Sequence, residues 1–306
     1  MTGSSPGHDG VRAIWPSMAF CLVGVALFSA MDALMKGAAL GIGTHTALLW
    51  RSVIASAMGG TLFLLKGNRW PSWPVLRVHV VRGLVIAPMV WLFFWSLTRL
   101  PLAEAIGLSF IAPVIALYLS ALMLHEKVNR NSILAALLGL AGVAVIVSGR
   151  MRGGYDAHAL LGAAALLASA VLFAINLVLQ RQQALLSGPV EIVFFQNGIV
   201  LLALLPFTPA DMGVPDARWW PHIAGSAVLT IVSQMALARA YAHAPANRLI
   251  PLEYSAFIWA SLFGWFVFEE RLTGPVLVGA ALIIVACFVT ARERPLLAAR
   301  TEPDTV

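Results

Sequence analysis

Leu100–Val128 reads LPLAEAIGLSFIAPVIALYLSALMLHEKV, and Ala244–Leu272 reads APANRLIPLEYSAFIWASLFGWFVFEERL. Shifted by 144 residues, the second stretch lies on the first. Pro101 meets Pro245, Ile106 meets Ile250, Leu108 meets Leu252, Ala112 meets Ala256 and Glu126 meets Glu270; Lys127 and Arg271 follow the glutamates. Apolar coincidences are expected in so apolar a chain. Proline and glutamate matches that bracket one apolar run at both ends are harder to obtain by composition. Each run is long enough for a helix to cross a hydrocarbon layer of ~30 Å, which takes ~20 residues.

Outward from this pair, the chain divides into ten such runs: Ile14–Lys36, Thr44–Leu65, Val78–Leu97, Leu102–Leu124 and Ser132–Ser148, then His158–Gln180, Pro189–Phe207, Pro221–Ala242, Ala246–Phe268 and Pro275–Thr290. Membrane strands would be about half as long and would alternate with a period of two. The expected fold is therefore an all-α integral membrane protein of ten transmembrane helices. Five spans per unit is an odd number, so two repeated units must be inverted relative to each other. The units are expected at 11–150 and 156–292, with 1–10 and 296–306 as flexible tails. Arg12 is the one firm positive charge ahead of the first apolar run, which continues well past a usual signal core, so an uncleaved first span is expected.

Composition agrees. Apolar residues make up 60% and charged residues 11% of the 306, against ~45–50% and ~25% in soluble domains. Mean hydropathy is +0.86. A soluble enzyme, a nucleic-acid binder and a disordered chain are all excluded by this excess. The net charge of +6 comes from basic residues set singly between apolar runs. With both termini cytoplasmic, ten Lys and Arg fall on the cytoplasmic side, six outside and four within or at the mouths of spans. That asymmetry favours this orientation in an inner (plasma) membrane. Cys21 and Cys287 lie far apart in apolar runs, with no metal-binding or disulfide spacing.

Charges at membrane depth are costly, so each needs a partner or a task. Asp32 and Arg51 fall in the outer halves of spans one and two. Two readings stand: the pair forms a gate or a clamp for a charged substrate, or Asp32 pairs with Lys36 one turn on while Arg51 snorkels outward. Glu253 and Tyr254 follow Pro251 in span nine. A carboxyl group there can carry a proton or bind a substrate amine; it can equally pair permanently with Arg239 or Arg248. Asn176 and Gln180 on span six, Gln196 and Asn197 on span seven and Gln234 on span eight suit either helix association or recognition of a polar substrate. Gln234 is the preferred cavity amide. Trp95 and Trp259 sit deeper than the interfacial tryptophans and either shape a cavity or pack the core. Gly107 lies opposite Pro251 under the 144-residue shift, and Pro113 adds a second break; all three are candidate hinges. Glu126 and Glu270 read as structural interface residues.

The two quoted stretches, each a proline turn, an apolar span and a Glu beside a basic residue, resemble the end-of-repeat pattern of EamA-type members of the drug/metabolite transporter superfamily. The resemblance covers essentially the whole chain. It implies a secondary carrier of small metabolites with two inverted five-helix repeats around a central cavity. MDALMK (Met31–Lys36) followed by Arg51 is similar to a subgroup that includes cofactor and metabolite importers. The expected partners are a small-molecule substrate, the lipid bilayer and protons, with a homodimer as the candidate assembly and no nucleic acid; no cofactor is expected. A channel-like facilitator and a membrane enzyme are the rival functions. The sequence holds no HExxH, GxSxG or GxxxxGK[ST], so a metalloprotease, a hydrolase elbow and an ATP-driven pump lack their motifs.

Overall fold

The computed structural model describes residues 8–112, 115, 130–152, 157–243, 252 and 255–291. Among these the chain is helical and has no strand, as expected where lipid offers backbone groups no hydrogen bond. In chain order the helices are α1 (His8–Ile42), α2 (Thr44–Leu65), α3 (Trp73–Leu97), α4 (Leu102–Ser109), α5 (Arg130–Arg152), α6 (Ala157–Leu186), α7 (Pro189–Leu204), α8 (Trp220–His243), α9 (Ala256–Phe268) and α10 (Gly274–Ala291). Among the described residues, six helices are long and apolar enough to cross a membrane, with shorter apolar stretches at Leu137–Ile146, Ala256–Phe268 and Gly274–Val285. Large apolar side chains such as Leu84, Leu137, Leu202 and Phe266 face outward, where lipid takes the place of water.

Several ends differ from the sequence reading. The first span continues past Lys36 to Ile42, and a single residue, Gly43, turns the chain into α2. Gly43 has φ 82°, a left-handed backbone open to glycine at little cost. The extra turn of α1 is held because Gly37 lies against His222 and Gly41 against the Trp219 ring. At the start of α3, Pro74 occupies the first turn, where its missing N–H costs nothing. The helix therefore begins at Trp73, five residues before the run expected from Val78.

The helices of the first half pack chiefly on those of the second. α1 lies on α8 and α9, α3 on α6 and α7, α2 on α7 and α8, α4 on α6 and α9, and α5 on α10. Exchanging each helix with the one five places along leaves this set unchanged: α1 on α8 becomes α6 on α3. At the α5–α10 crossing the backbones touch. A Cβ on Gly142 would stand 2.6 Å from the Gly279 carbonyl oxygen, a small-residue contact typical of membrane helix pairs.

The two equivalent first helices run in opposite directions. Lys36, near the end of α1, bonds the Leu100 carbonyl just past the end of α3. Gln183, near the end of α6, bonds His79 near the start of α3. Hence α1 and α6 finish at opposite ends of the bundle.

Candidate functional site

Asp32 sits ten residues before the end of α1, and Arg51 seven residues into α2. The glycine hairpin brings these segments side by side. Both residues are buried, at 8% and 5% exposure. They interact electrostatically but do not close into a direct ion pair. Arg51 Nη1 instead reaches Met31 Sδ at 3.7 Å, and its guanidinium lies 5.5 Å from the Phe94 ring centroid. Arg51 therefore does not snorkel. Two opposed charges facing each other without contact can each engage a group placed between them.

The surrounding polar atoms point the same way. On α2, Trp50 Nε1, Arg51 Nε, Ser52 Oγ and Ser56 Oγ are buried without a hydrogen-bond partner. So is Gln234 Oε1 on α8. Buried polar atoms normally find partners, and orphans mark strain, a ligand or a binding role. Gly24 packs on Leu237, and Gly225 on Leu34. This pairing sets Gln234 level with residues about 26–27 of α1, roughly 9 Å along the helix from Asp32 at 1.5 Å per residue.

Lys36, the other partner considered for Asp32, is held elsewhere. Its Nζ donates to Leu100 O at 2.7 Å and pairs with Glu270 Oε1. Glu270 Oε2 accepts from the Leu102 N–H at 2.7 Å, and the Phe268 ring lies 5.0 Å from Nζ. One carboxylate thus joins the end of α1, the α3–α4 turn and the end of α9. Its approach depends on two local features. Glu269 takes φ 55° at the end of α9, and Gly264 leaves room where a Cβ would stand 2.7 Å from Glu270 Oε2.

At the opposite end of α3 lies a chain of polar side chains that the sequence reading did not assemble. Arg82 Nε donates to Asn176 Oδ1 at 2.9 Å, and Arg82 Nη1 donates to Gln183 Oε1. The Gln183 amide meets His79 Nδ1. His79 Nε2 lies 2.9 Å from Glu191 Oε1, which also accepts from Ser187 Oγ at 2.7 Å. The His79 ring stacks on Phe195 at 4.8 Å. The available signal was spacing: His79 and Arg82 share a face of α3, while Asn176 and Gln183 are two turns apart on α6. Asn176, read as a cavity amide, is a member of this chain.

Trp95 lies two residues before the end of α3, and the Arg99 guanidinium covers its ring at 3.4 Å. Trp259 packs beside Cys21, Val25 and Ala240. α4 stops at Ser109, two residues past Gly107, and the Phe110 N–H turns back to Gly107 O at 3.3 Å. Glu253, Tyr254, Pro113 and Pro251 lie outside the described residues. A groove of 610 Å³ runs along α9 beside Phe257, Ile258, Trp265 and Glu270; it is largely apolar and lies on a different helix from Asp32 and Arg51. No cluster of metal-ligating side chains occurs among the described residues.

The profile of the EamA-like transporter family matches residues 15–148 and again 160–292. The pseudopaline exporter CntI of Pseudomonas aeruginosa is 28% identical over 272 residues, covering 87% of this chain and 93% of its own. A riboflavin transporter of Vibrio cholerae is 30% identical over 226 residues, 72% of each chain. Protein PecM of Dickeya dadantii is 26% identical over 253 residues, 79% of this chain and 82% of its own. A solved crystal structure covers 93% of this chain and 97% of its own with a TM-score of 0.61 at 21% identity, a likeness of fold alone.

Proposed function

We propose a secondary carrier for a small polar metabolite, from the premise that the chain belongs to the EamA-like transporter family. Its named relatives are transporters, so the protein is a multi-pass membrane transporter and not an enzyme. The finer reading is ours. Two inverted five-helix units, 11–150 and 156–292, enclose a midplane cavity and rock about it, exposing it to each side in turn. The exchange-symmetric helix pairing and the opposed directions of α1 and α6 support this arrangement. Ten crossings, an inner-membrane location and cytoplasmic termini follow from the apolar runs and the Lys and Arg asymmetry. Gly107, Pro113 and Pro251 serve as hinges, with α4 ending just past the first of them.

Asp32 and Arg51 carry the reading. Two buried opposite charges that face without closing suit a substrate bearing both signs, or a polar group spanning them. Gln234 offers a free acceptor, and Glu253 and Tyr254 of span nine are the further candidates for holding a proton or a substrate amine. Trp95, Asn176 and Trp259 support its walls. A pseudopaline exporter and riboflavin transporters among the relatives agree with a polar metabolite as cargo. Transport is coupled to a proton or other ion gradient.

A metabolite screen on vesicles holding the purified protein, with and without a pH gradient, tests this. Saturable uptake or efflux of one metabolite is expected, lost in Asp32→Asn and in Arg51→Gln. Flux that rises linearly with concentration would replace the carrier by a channel. Glu253→Gln should abolish coupling while leaving the protein folded; normal coupled transport removes Glu253 from that role.

A further inference from the structure

The carrier reading leaves His79 without a task, although it is 1% exposed and lies between the two halves of the chain. Its protonation state follows from its partners. Arginine can only donate. Gln183 must therefore present its oxygen to Arg82 Nη1, which leaves its NH₂ to face His79 Nδ1. An NH₂ group donates, so Nδ1 accepts, and the ring proton sits on Nε2. There it donates to Glu191 Oε1 at 2.9 Å. From Arg82 through Gln183 and His79 to Glu191 every bond is thus donated in the same direction, with Asn176 as a second acceptor of Arg82, and this run holds only while His79 is neutral.

A second proton on His79 would occupy Nδ1. Two donors would then face each other across Gln183, and rotating the amide would set its NH₂ against Arg82. Neither orientation satisfies both neighbours. The charged and titratable groups facing His79 among the described side chains are Arg82, one turn on along α3, and Glu191 of α7. α6 contributes only the neutral Gln183, and Ser187 follows it. Glu191 favours the added charge, and Arg82 opposes it.

We propose that His79, backed by Glu191, is a proton-binding site, and that proton uptake there releases the α3 contact with α6 and α7. The inference rests on the carrier reading for its meaning, since it supplies the coupling ion's site; its geometry stands without it. The proton binds at Nδ1, the imidazolium pairs with the Glu191 carboxylate, and the Gln183 link opens. Because α3 belongs to the first half and α6 and α7 to the second, occupancy by one proton loosens the seam between the halves at this end only.

Nitrogen-labelled histidine NMR of the full chain in nanodiscs reads the site without any substrate, with His79→Asn assigning the signal. His79 is expected as the Nε2–H tautomer at pH 8 and to take a second proton at Nδ1 on acidification. Protection against hydrogen exchange over Gln183–Glu191, corrected for the slower intrinsic exchange at low pH, should fall about tenfold on acidification, as for loss of one hydrogen bond. In His79→Asn and in Glu191→Gln that pH response should vanish. A His79 that stays neutral on acidification, an Nδ1–H tautomer at pH 8, or unchanged protection after protonation overturns the proposal. So does a pH response that persists in either variant. Vesicle transport can succeed or fail independently of all these readouts.

Discussion

α3 carries a polar tie between the two halves of the chain at each of its ends, and the two are built differently. Past its C-terminal end, Lys36 and Glu270 meet directly and are tied further by the Leu100 carbonyl and the Leu102 N–H. Eighteen residues before that end, roughly 27 Å away, His79 and Glu191 connect to Arg82 only through the amide of Gln183. The first is a directly closed ion pair anchored on backbone. The second is a relay whose continuity depends on a single ring proton. A carrier that alternates must open its two ends at different moments. A directly paired clasp opposite one relayed through a ring proton gives the ends different triggers, and in this reading the proton acts at the His79 end.

The sharpest way to break the comparison is at the clasp. Glu270→Ala leaves the buried Lys36 ammonium without its carboxylate partner, and removing one member of a buried pair costs about 3–5 kcal/mol. A marked fall in thermal stability in detergent is expected. Replacing both members, as Lys36→Met with Glu270→Leu, should return most of it, because a matched apolar pair of similar size is near neutral. If the single substitution leaves stability unchanged, the Lys36 end is not clasped.

A smaller effect is expected at the other end. Arg82→Leu strips the donors from Asn176 Oδ1 and Gln183 Oε1 and should cost about 2–3 kcal/mol for two stranded acceptors. It also frees the Gln183 amide to rotate, so His79 should lose its fixed tautomer. Histidine NMR reads that change even if stability moves little. A tautomer unaltered in this variant would show that Arg82 does not polarise the relay.

How far the sequence carried the fold differs between these regions for a physical reason. Ten apolar runs and the Pro-to-Glu repeat were legible because length and hydropathy alone mark a membrane helix. Which side of each helix faces protein was not, since a span is apolar all round and carries no amphipathic signal. So Glu270 could be read as structural, but its partner Lys36 lies 234 residues away and left no local trace. Asp32 and Arg51 were legible because charge is rare at that depth. Asn176 was noticed, yet its bond to Arg82 was not legible, because that donor sits on another helix. Helix ends were blurred too: Gly43 turns the chain alone, and nothing in GAALGI (Gly37–Ile42) announces that Trp219 and His222 will hold an extra turn.

Two substitutions at the end of α9 sharpen the account of the clasp, the second with the smallest expected effect. Gly264→Ala puts a methyl where Glu270 Oε2 now rests. The carboxylate must move from Lys36 or from the Leu102 N–H, for a loss of about 1–2 kcal/mol. Glu269→Gly acts in the other direction. Glu269 is exposed and holds φ 55°, a conformation that costs a side-chain-bearing residue roughly 1–2 kcal/mol. Glycine relieves that cost but adds freedom to the unfolded chain, worth about 0.4–1 kcal/mol against it. The net expectation is a gain of about 0.5 kcal/mol, read as a small rise in thermal midpoint with the clasp intact. A fall in stability would mean that the Glu269 side chain itself contributes at this turn, and that Glu270 is not aimed at Lys36 by backbone geometry alone.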